Sequence, residues 1–266
     1  MQRTIYSPVV SVPVHEQRDQ PTGVPPLMLT GERTLPDVPE ENYWFRRHLA
    51  VYEWIARRLS GMRVLDMACG EGYGSAVLAS VAAAVVGVDA NAEAHEHARL
   101  RYRASNLRFE RALLESFSEP ADAVVLLQTI EHLSDPARAL GHLRSLLRAG
   151  GVAFVSTPNV LTLAPKGALR SDNPWHLREY RAQEFERLCR GCFASVEMYG
   201  LFHARKLRLH EYALRLGWDA LHPRLRLTKP FYERFTAAIA ASDFTLRAAP
   251  ACGLERALDF LAVCRG

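Results

Sequence analysis

The residues with the most chemical potential lie in one stretch, Val64-Leu65-Asp66-Met67-Ala68-Cys69-Gly70-Glu71-Gly72-Tyr73-Gly74, where an apolar run meets a carboxylate and then closely spaced glycines. Lacking a Cβ, Gly70, Gly72 and Gly74 permit a sharp turn and a close backbone approach to a ligand. A dinucleotide loop would read G-x-G-x-x-G and set a helix N-terminus against a pyrophosphate. Here the spacing is G-x-G-x-G and a carboxylate, Asp66, stands before it, which suits a cationic ligand without phosphates. A second acid, Asp89, ends the run Ala84-Val85-Val86-Gly87-Val88 about 20 residues further on, where a carboxylate can accept hydrogen bonds from ribose hydroxyls. Asp89 also suits capping of a helix starting near Asn91, and the two roles are compatible.

Such residues need a scaffold that gathers strand ends. Val64 to Met67, Ala84 to Val88, Leu107 to Glu110, Ala121 to Leu127 and Val152 to Thr157 read as strands, with helices between them, including Pro136 to Arg148. This rhythm predicts an α/β, doubly wound, Rossmann-like parallel sheet covered on both faces. The fourth strand then delivers Gln128-Thr129-Ile130-Glu131-His132-Leu133 into the crevice where open α/β sheets bind ligands. Before the first strand, Tyr43, Trp44, Arg47, Leu49, Val51, Trp54, Ile55 and Leu59 recur at helical spacing until Gly61. Met1 to about Pro39 is polar and proline-rich without a hydrophobic period, which predicts a flexible N-terminal arm (1–39) ahead of one domain at 40–266.

With 33 Lys and Arg against 29 Asp and Glu, the net charge of +4 is too small to imply nucleic acid by itself. No apolar run approaches the roughly 18 residues of a membrane span, and the start is not signal-like, so a cytoplasmic location is expected. Five cysteines, Cys69, Cys189, Cys192, Cys252 and Cys264, form no disulfide framework. Cys189-Arg190-Gly191-Cys192 is a lone C-x-x-C at a helix end, which reads as structural thiols. His203 to Arg234 is rich in Arg and Lys interleaved with Trp218, Phe231 and Tyr232, so a helical insertion at about 203–255 is expected. It reads as a solvated helix face, a homodimer surface or a cap holding a polar glycan, acyl-phosphate carrier or RNA.

The Asp66 to Gly74 stretch resembles motif I of class I S-adenosylmethionine-dependent methyltransferases, with Asp89 as their second motif. The resemblance spans about Asn42 to Arg265. It implies S-adenosylmethionine as cofactor and a seven-stranded sheet whose final antiparallel pair is Phe193 to Gly200 and Ala257 to Val263. It also implies a cofactor site of Asp66, Gly70, Gly72, Asp89, Leu114 and Gln128, with the adenine passing the Leu113 to Glu115 loop. Tyr43, Trp44, Arg46 and Arg47 would close the pocket and bind the methionine carboxylate; a core-packing stripe is the other reading of that helix.

Closer still, Leu29-Thr30-Gly31-Glu32-Arg33-Thr34, Glu41-Asn42-Tyr43-Trp44-Phe45-Arg46-Arg47-His48, Ser156-Thr157-Pro158-Asn159 and Gly200-Leu201-Phe202-His203 look like actinobacterial methyltransferases associated with methylglucose lipopolysaccharide synthesis. That similarity implies a sugar hydroxyl, free or on a glycan, as methyl acceptor, with polysaccharide biosynthesis as the setting. Such a hydroxyl is a poor nucleophile near neutral pH, so a histidine or a bound metal must help remove its proton. His176, in Asn173-Pro174-Trp175-His176-Leu177-Arg178-Glu179-Tyr180, and His132 are the candidate bases. Glu131, His132 and His176 also resemble the metal site of small-RNA and ubiquinone-pathway O-methyltransferases, which implies possible Mg2+ use; Gln128 stands where those enzymes have a glutamate. Glu131-His132 as a structural turn, His176 as a loop brace and Arg178-Glu179 as a local ion pair are the plain readings. RNA ribose O-methylation and an inactive methyltransferase-like binding subunit are the alternative functions.

Overall fold

The computed structural model describes residues 16–31, 33–165, 167–224 and 228–266; residues 1–15 of the arm, Glu32 and Arg226 lie outside them. Helix α1 (Asn42–Ala56) leads into β1 (Arg63–Met67), α2 (Tyr73–Ala79), β2 (Ala84–Asp89), α3 (Ala92–Arg101), β3 (Leu107–Arg111) and β4 (Ala121–Leu127). Then follow α4 (Pro136–Leu146), β5 (Leu147–Pro158), the single turn α5 (Val160–Leu163), α6 (Ala182–Arg190) and β6 (Ser195–His203). The insertion supplies α7 (Arg205–Arg215), α8 (Trp218–Arg224) and α9 (Thr228–Ala237), and β7 (Phe244–Ala248) and β8 (Asp259–Arg265) close the chain.

The strands form one sheet in the order β3-β2-β1-β4-β5-β8-β6-β7. The first five are parallel, whereas β8 runs antiparallel to β5 and to β6, and β7 antiparallel to β6. The sheet therefore has eight strands, not the expected seven. The extra one, β7, falls inside the segment read as a wholly helical insertion, whose helices end at Ala237. Its residues Phe244, Leu246 and Ala248 alternate, but five residues at a sheet edge carry too little periodicity to stand out beside an arginine-rich stretch.

Alternation along the strands divides the core. Leu65, Met67, Val124 and Leu126 pack with Leu140 and Leu143 of α4 and Phe185 and Cys189 of α6. On the other face, Val64, Ala123, Val125 and Leu127 meet Val51 and Ile55 of α1 and Leu78 of α2. This is the two-faced burial that a parallel sheet requires. The cysteines are all free thiols, as expected, and Cys189 packs in the core.

Residues 16–39 do not hang free where they are described. Leu27, Leu35 and Val38 form a small apolar cluster with Ala94 of α3. The Gln17 amide donates to Glu71 at 3.1 Å, and His97 bridges the Pro25 carbonyl (2.7 Å) and Glu71 (2.9 Å). Prolines shorten the entropy lost on ordering, so a segment without helix or strand period can still pack as an extended strap.

Candidate active site

The strand order reverses between β1 and β4, and in open α/β sheets ligands bind at the strand C-termini beside that switch. The backbone marks the spot. Ala68, just after β1, has φ 55°, and Gln128, just after β4, has φ 50°, both in the left-handed region that non-glycine residues avoid. Such strain, about 1–3 kcal/mol at each residue, persists where the surroundings impose it and concentrates at functional sites.

The glycines divide their work. Gly70 has φ +57° and a Cβ there would meet nothing within 4 Å, so open space lies above it. Gly72, at φ +97°, would place a Cβ 2.8 Å from the Ala98 Cβ, and Gly74 would place one 2.1 Å from the Tyr52 ring. Those two glycines therefore serve close packing of the loop on α3 and of α2 on α1, and Gly70 alone presents bare backbone to the crevice. Asp89 fixes the loop: its Oδ2 accepts from the Gly70 N–H and its Oδ1 from the Asn91 N–H, each at 2.8 Å. The cap of α3 is the Asn91 side chain, which accepts from the Ala94 N–H. The part-exposed Asp89 carboxylate retains lone pairs for two hydroxyls.

Three expected cofactor contacts are relocated. Asp66 is fully buried under the loop and accepts from Ser75 Oγ (2.7 Å) and Tyr52 Oη (3.2 Å). Burial pushes its carboxyl up to about 7 against those hydrogen bonds, so it supports the loop from below rather than facing a ligand. Arg47 is buried in a two-pronged pair with Asp259, Nε to Oδ2 at 2.7 Å and Nη2 to Oδ1 at 2.6 Å, and its Nη2 also donates to the Leu258 carbonyl. Tyr43 is buried with its hydroxyl 2.8 Å from His203 Nε2 and its ring edge-on to Phe244. The aromatic stripe of α1 is thus core packing and helix-to-sheet locking. Leu114 opens a short turn after β3 and packs on the core, while the neighbouring Leu113 is 63% exposed.

The turn after β4 and the loop after β5 bring together the candidate bases of the crevice. Glu131, His132 and His176 converge, with one ligand atom from each lying within 4.8 Å of the others. Glu131 is buried, accepts from Thr157 Oγ1 at 3.0 Å, and is pushed up to about 8 by burial. Its backbone carbonyl accepts from the Leu177 and Arg178 N–H groups, which pins the histidine loop across the turn. His132 donates from Nδ1 to the Trp175 carbonyl at 2.9 Å, and the His132 and His176 rings stand edge-on with centroids 5.0 Å apart.

His176 Nδ1 lies 2.8 Å from Glu179 Oε1, and its Nε2 lies 3.0 Å from Asn173 Nδ2. Burial pushes Glu179 up, but the bonds from His176 and Ser171 prevail and hold its carboxyl below the ordinary glutamate value. Glu179 pairs with His176, not with Arg178 as the sequence suggested. The signal was present as His-x-x-Glu, a spacing of three that closes within one turn.

These residues offer a partial donor set for a divalent ion. Both imidazoles are oriented through Nδ1 by an oxygen acceptor, the arrangement that steadies metal-bound histidines. Two imidazole nitrogens and one carboxylate match a borderline transition ion better than magnesium, which favours oxygen ligands. Gln128, whose Nε2 donates to Ser156 Oγ at 3.1 Å, offers at most a neutral amide oxygen and no anionic ligand. The residues present therefore fit Mg2+ poorly.

Among the described residues no helix is long and apolar enough to cross a membrane. A family model described as "Methyltransferase domain" matches residues 42–212. A protein of Mycolicibacterium smegmatis named "Probable S-adenosylmethionine-dependent methyltransferase" is 39% identical over 245 residues, 89% of this chain and 94% of its own length. One of the same description from Mycobacterium tuberculosis is 38% identical over 264 residues, 94% of each chain. A ubiquinone biosynthesis O-methyltransferase of Aromatoleum aromaticum is 31% identical over 173 residues, 56% of this chain and 72% of its own. Among solved structures, an S-adenosylmethionine-dependent methyltransferase of Thermotoga maritima aligns with a TM-score of 0.56 at 16% identity, over 85% of this chain and 94% of that one, which supports the fold. An open glycine loop tied to Asp89 at the switch point, on this fold and with these relatives, identifies the chain as an enzyme of the class I S-adenosylmethionine-dependent methyltransferase family.

Proposed function

We propose that the protein transfers a methyl group from S-adenosylmethionine to a hydroxyl of a sugar, polysaccharide precursor or similar small polar metabolite. The observation that carries this reading is the His176–Glu179 pair, with His132 beside it, at the acceptor end of the crevice. A hydroxyl must lose its proton as the new C–O bond forms, so it needs a base that an already nucleophilic amine does not. The ubiquinone relatives, named as O-methyltransferases, agree with oxygen as the acceptor atom.

S-Adenosylmethionine, when bound, supplies a methyl carbon on a sulfonium for in-line displacement. Asp89 and the Gly70 backbone hold the ribose end, with Leu114 and Gln128 beside the adenine and methionine portions. At the other end, Glu179 fixes the His176 tautomer with the proton on Nδ1, which leaves the lone pair on Nε2. The Asn173 amide occupies that lone pair, and the acceptor hydroxyl replaces it as donor. His176 then takes the hydroxyl proton at Nε2 while Glu179 stabilises the imidazolium; His132 Nε2 is the second choice. A divalent transition ion held by Glu131, His132 and His176 would supply the same activation by lowering the acceptor's pKa.

The test is transfer of labelled methyl from S-adenosylmethionine to a panel of sugars, polyols, catechols and amines, with and without EDTA followed by Mn2+. Label in a methyl ether that disappears in His176→Ala, while S-adenosylhomocysteine still binds in calorimetry, supports the reading. Transfer confined to amines, or full activity in His176→Ala, refutes it. Loss with EDTA and recovery with Mn2+ selects the metal version of the site.

A further inference from the structure

The helical insertion carries large apolar side chains that stay exposed among the described residues. Leu209 and Tyr212 on α7 and Leu216 just beyond its C-terminus are 72%, 61% and 73% exposed, and Leu221 on α8 is 47% exposed. Positions 209, 212 and 216 share one side of a helix, while Leu207 and His210 on the opposite side are buried against the domain. Gly217, with φ +91°, turns the chain so that α8 extends the same region. Three large apolar side chains at such exposure on one short helix and its C-cap exceed the scattered single residues of an ordinary surface.

Charge around this face is mainly positive. Arg205, Arg208, Arg215 and Arg224 are exposed, and Arg208, Arg215 and Arg224 form no ion pair among the described residues. Only one of the two acids of α7 and α8 offsets them in part: Glu211, bonded to His203 Nδ1 at 2.6 Å, also feels the charge of Arg215, while Asp219 Oδ2 is buried.

Topology starts α7 at the sheet edge that carries the crevice. At the strand ends Asp259 pairs with both Pro158 of β5 and Leu201 of β6, so the C-terminal ends of β5 and β6 lie on one edge of the sheet. Helix α7 begins two residues after β6 and therefore leaves from the edge that carries Gln128, Glu131 and the histidine loop.

We propose that α7 and α8 dock this enzyme on an anionic bilayer surface, with the leucines and Tyr212 in the acyl boundary and the arginines among the headgroups. An amphipathic helix with an apolar centre flanked by arginine has the chemistry that such an interface recognises. A second copy of the chain is disfavoured, because a two-fold contact would set arginine against arginine on self-facing patches. RNA is disfavoured because leucines, which offer bases no stacking surface, dominate the face, with Tyr212 the one aromatic ring among these four side chains. Docking brings the acceptor end of the crevice beside the membrane surface.

The experiment is co-sedimentation of the full chain with vesicles of phosphatidylcholine alone and of phosphatidylcholine with phosphatidylglycerol, at low and high salt. Binding to the anionic vesicles, weakened by salt and about fivefold by each of Arg208→Gln and Arg215→Gln, is expected. The double variant Leu209→Ser, Leu216→Ser should lose retention while keeping wild-type affinity for S-adenosylhomocysteine, which confirms that it is folded. No binding to anionic vesicles at low salt by protein that binds S-adenosylhomocysteine overturns the proposal. A Leu216-dependent dimer without vesicle binding, or binding to single-stranded RNA without vesicle binding, overturns it as well. None of these readouts depends on the methyl acceptor.

Discussion

Replacing Arg47 by methionine separates its structural role from the cofactor-binding role that its sequence position suggested. Its guanidinium meets both carboxylate oxygens of Asp259 at 2.6 and 2.7 Å, and the two side chains are 5% and 2% exposed. Arg47→Met leaves the Asp259 charge buried and unpaired, which costs about 3–5 kcal/mol. At about 2–4 °C per kcal/mol for a domain of this size, the melting temperature should fall by roughly 6–20 °C. Adding Asp259→Leu should return most of that loss, because two apolar groups replace the pair without stranding a charge. The assay is calorimetric unfolding of the wild type, both single variants and the double variant, followed by S-adenosylhomocysteine titration well below each midpoint. Wild-type stability in Arg47→Met together with a tenfold or greater loss of ligand affinity would falsify this account and return Arg47 to the methionine carboxylate.

Asp89→Ala should weaken S-adenosylhomocysteine roughly 10- to 100-fold by removing charged acceptors for the ribose, and should also loosen the loop through the lost Gly70 and Asn91 bonds. Unchanged affinity in calorimetry would exclude the ribose assignment. Glu179→Gln should lower kcat roughly 10- to 100-fold with cofactor affinity intact, since it loses the anion that orients His176; an unaltered kcat would show the pair to be a loop brace. Burial raises Asp66 from 3.8 to about 7, so the folded state holds its proton longer than the unfolded state. The resulting stabilisation is full below about pH 4 and is lost as pH rises through about 7. Asp66→Asn should lack this decline, and parallel urea-unfolding curves for variant and wild type from pH 5 to pH 8 would contradict it.

Local pattern carried much of the result. The Asp66 to Gly74 loop, Asp89 at the end of β2, the strand at Ala121–Leu127 and Glu131-His132 just beyond it are all legible, because periodicity and loop chemistry act over a few neighbouring residues. The same pattern could not divide the glycines, since the need for Gly72 comes from Ala98 and Phe109, and that for Gly74 from the Tyr52 ring. Nor could it find Arg47's partner 212 positions away, or show that residues 17–38 strap α3 and the glycine loop. The grouping of His176 with Glu131 and His132 was implied by the resemblance, and the structure shows what makes it: the Leu177 and Arg178 amides meet the Glu131 carbonyl. By itself, then, the sequence determined the family's cofactor loop and the order of strands and helices, because both are written in short-range spacing. Only the tertiary structure decided which side chains face the crevice and which are locked in the core, because that depends on partners brought together by sheet pairing from opposite ends of the chain.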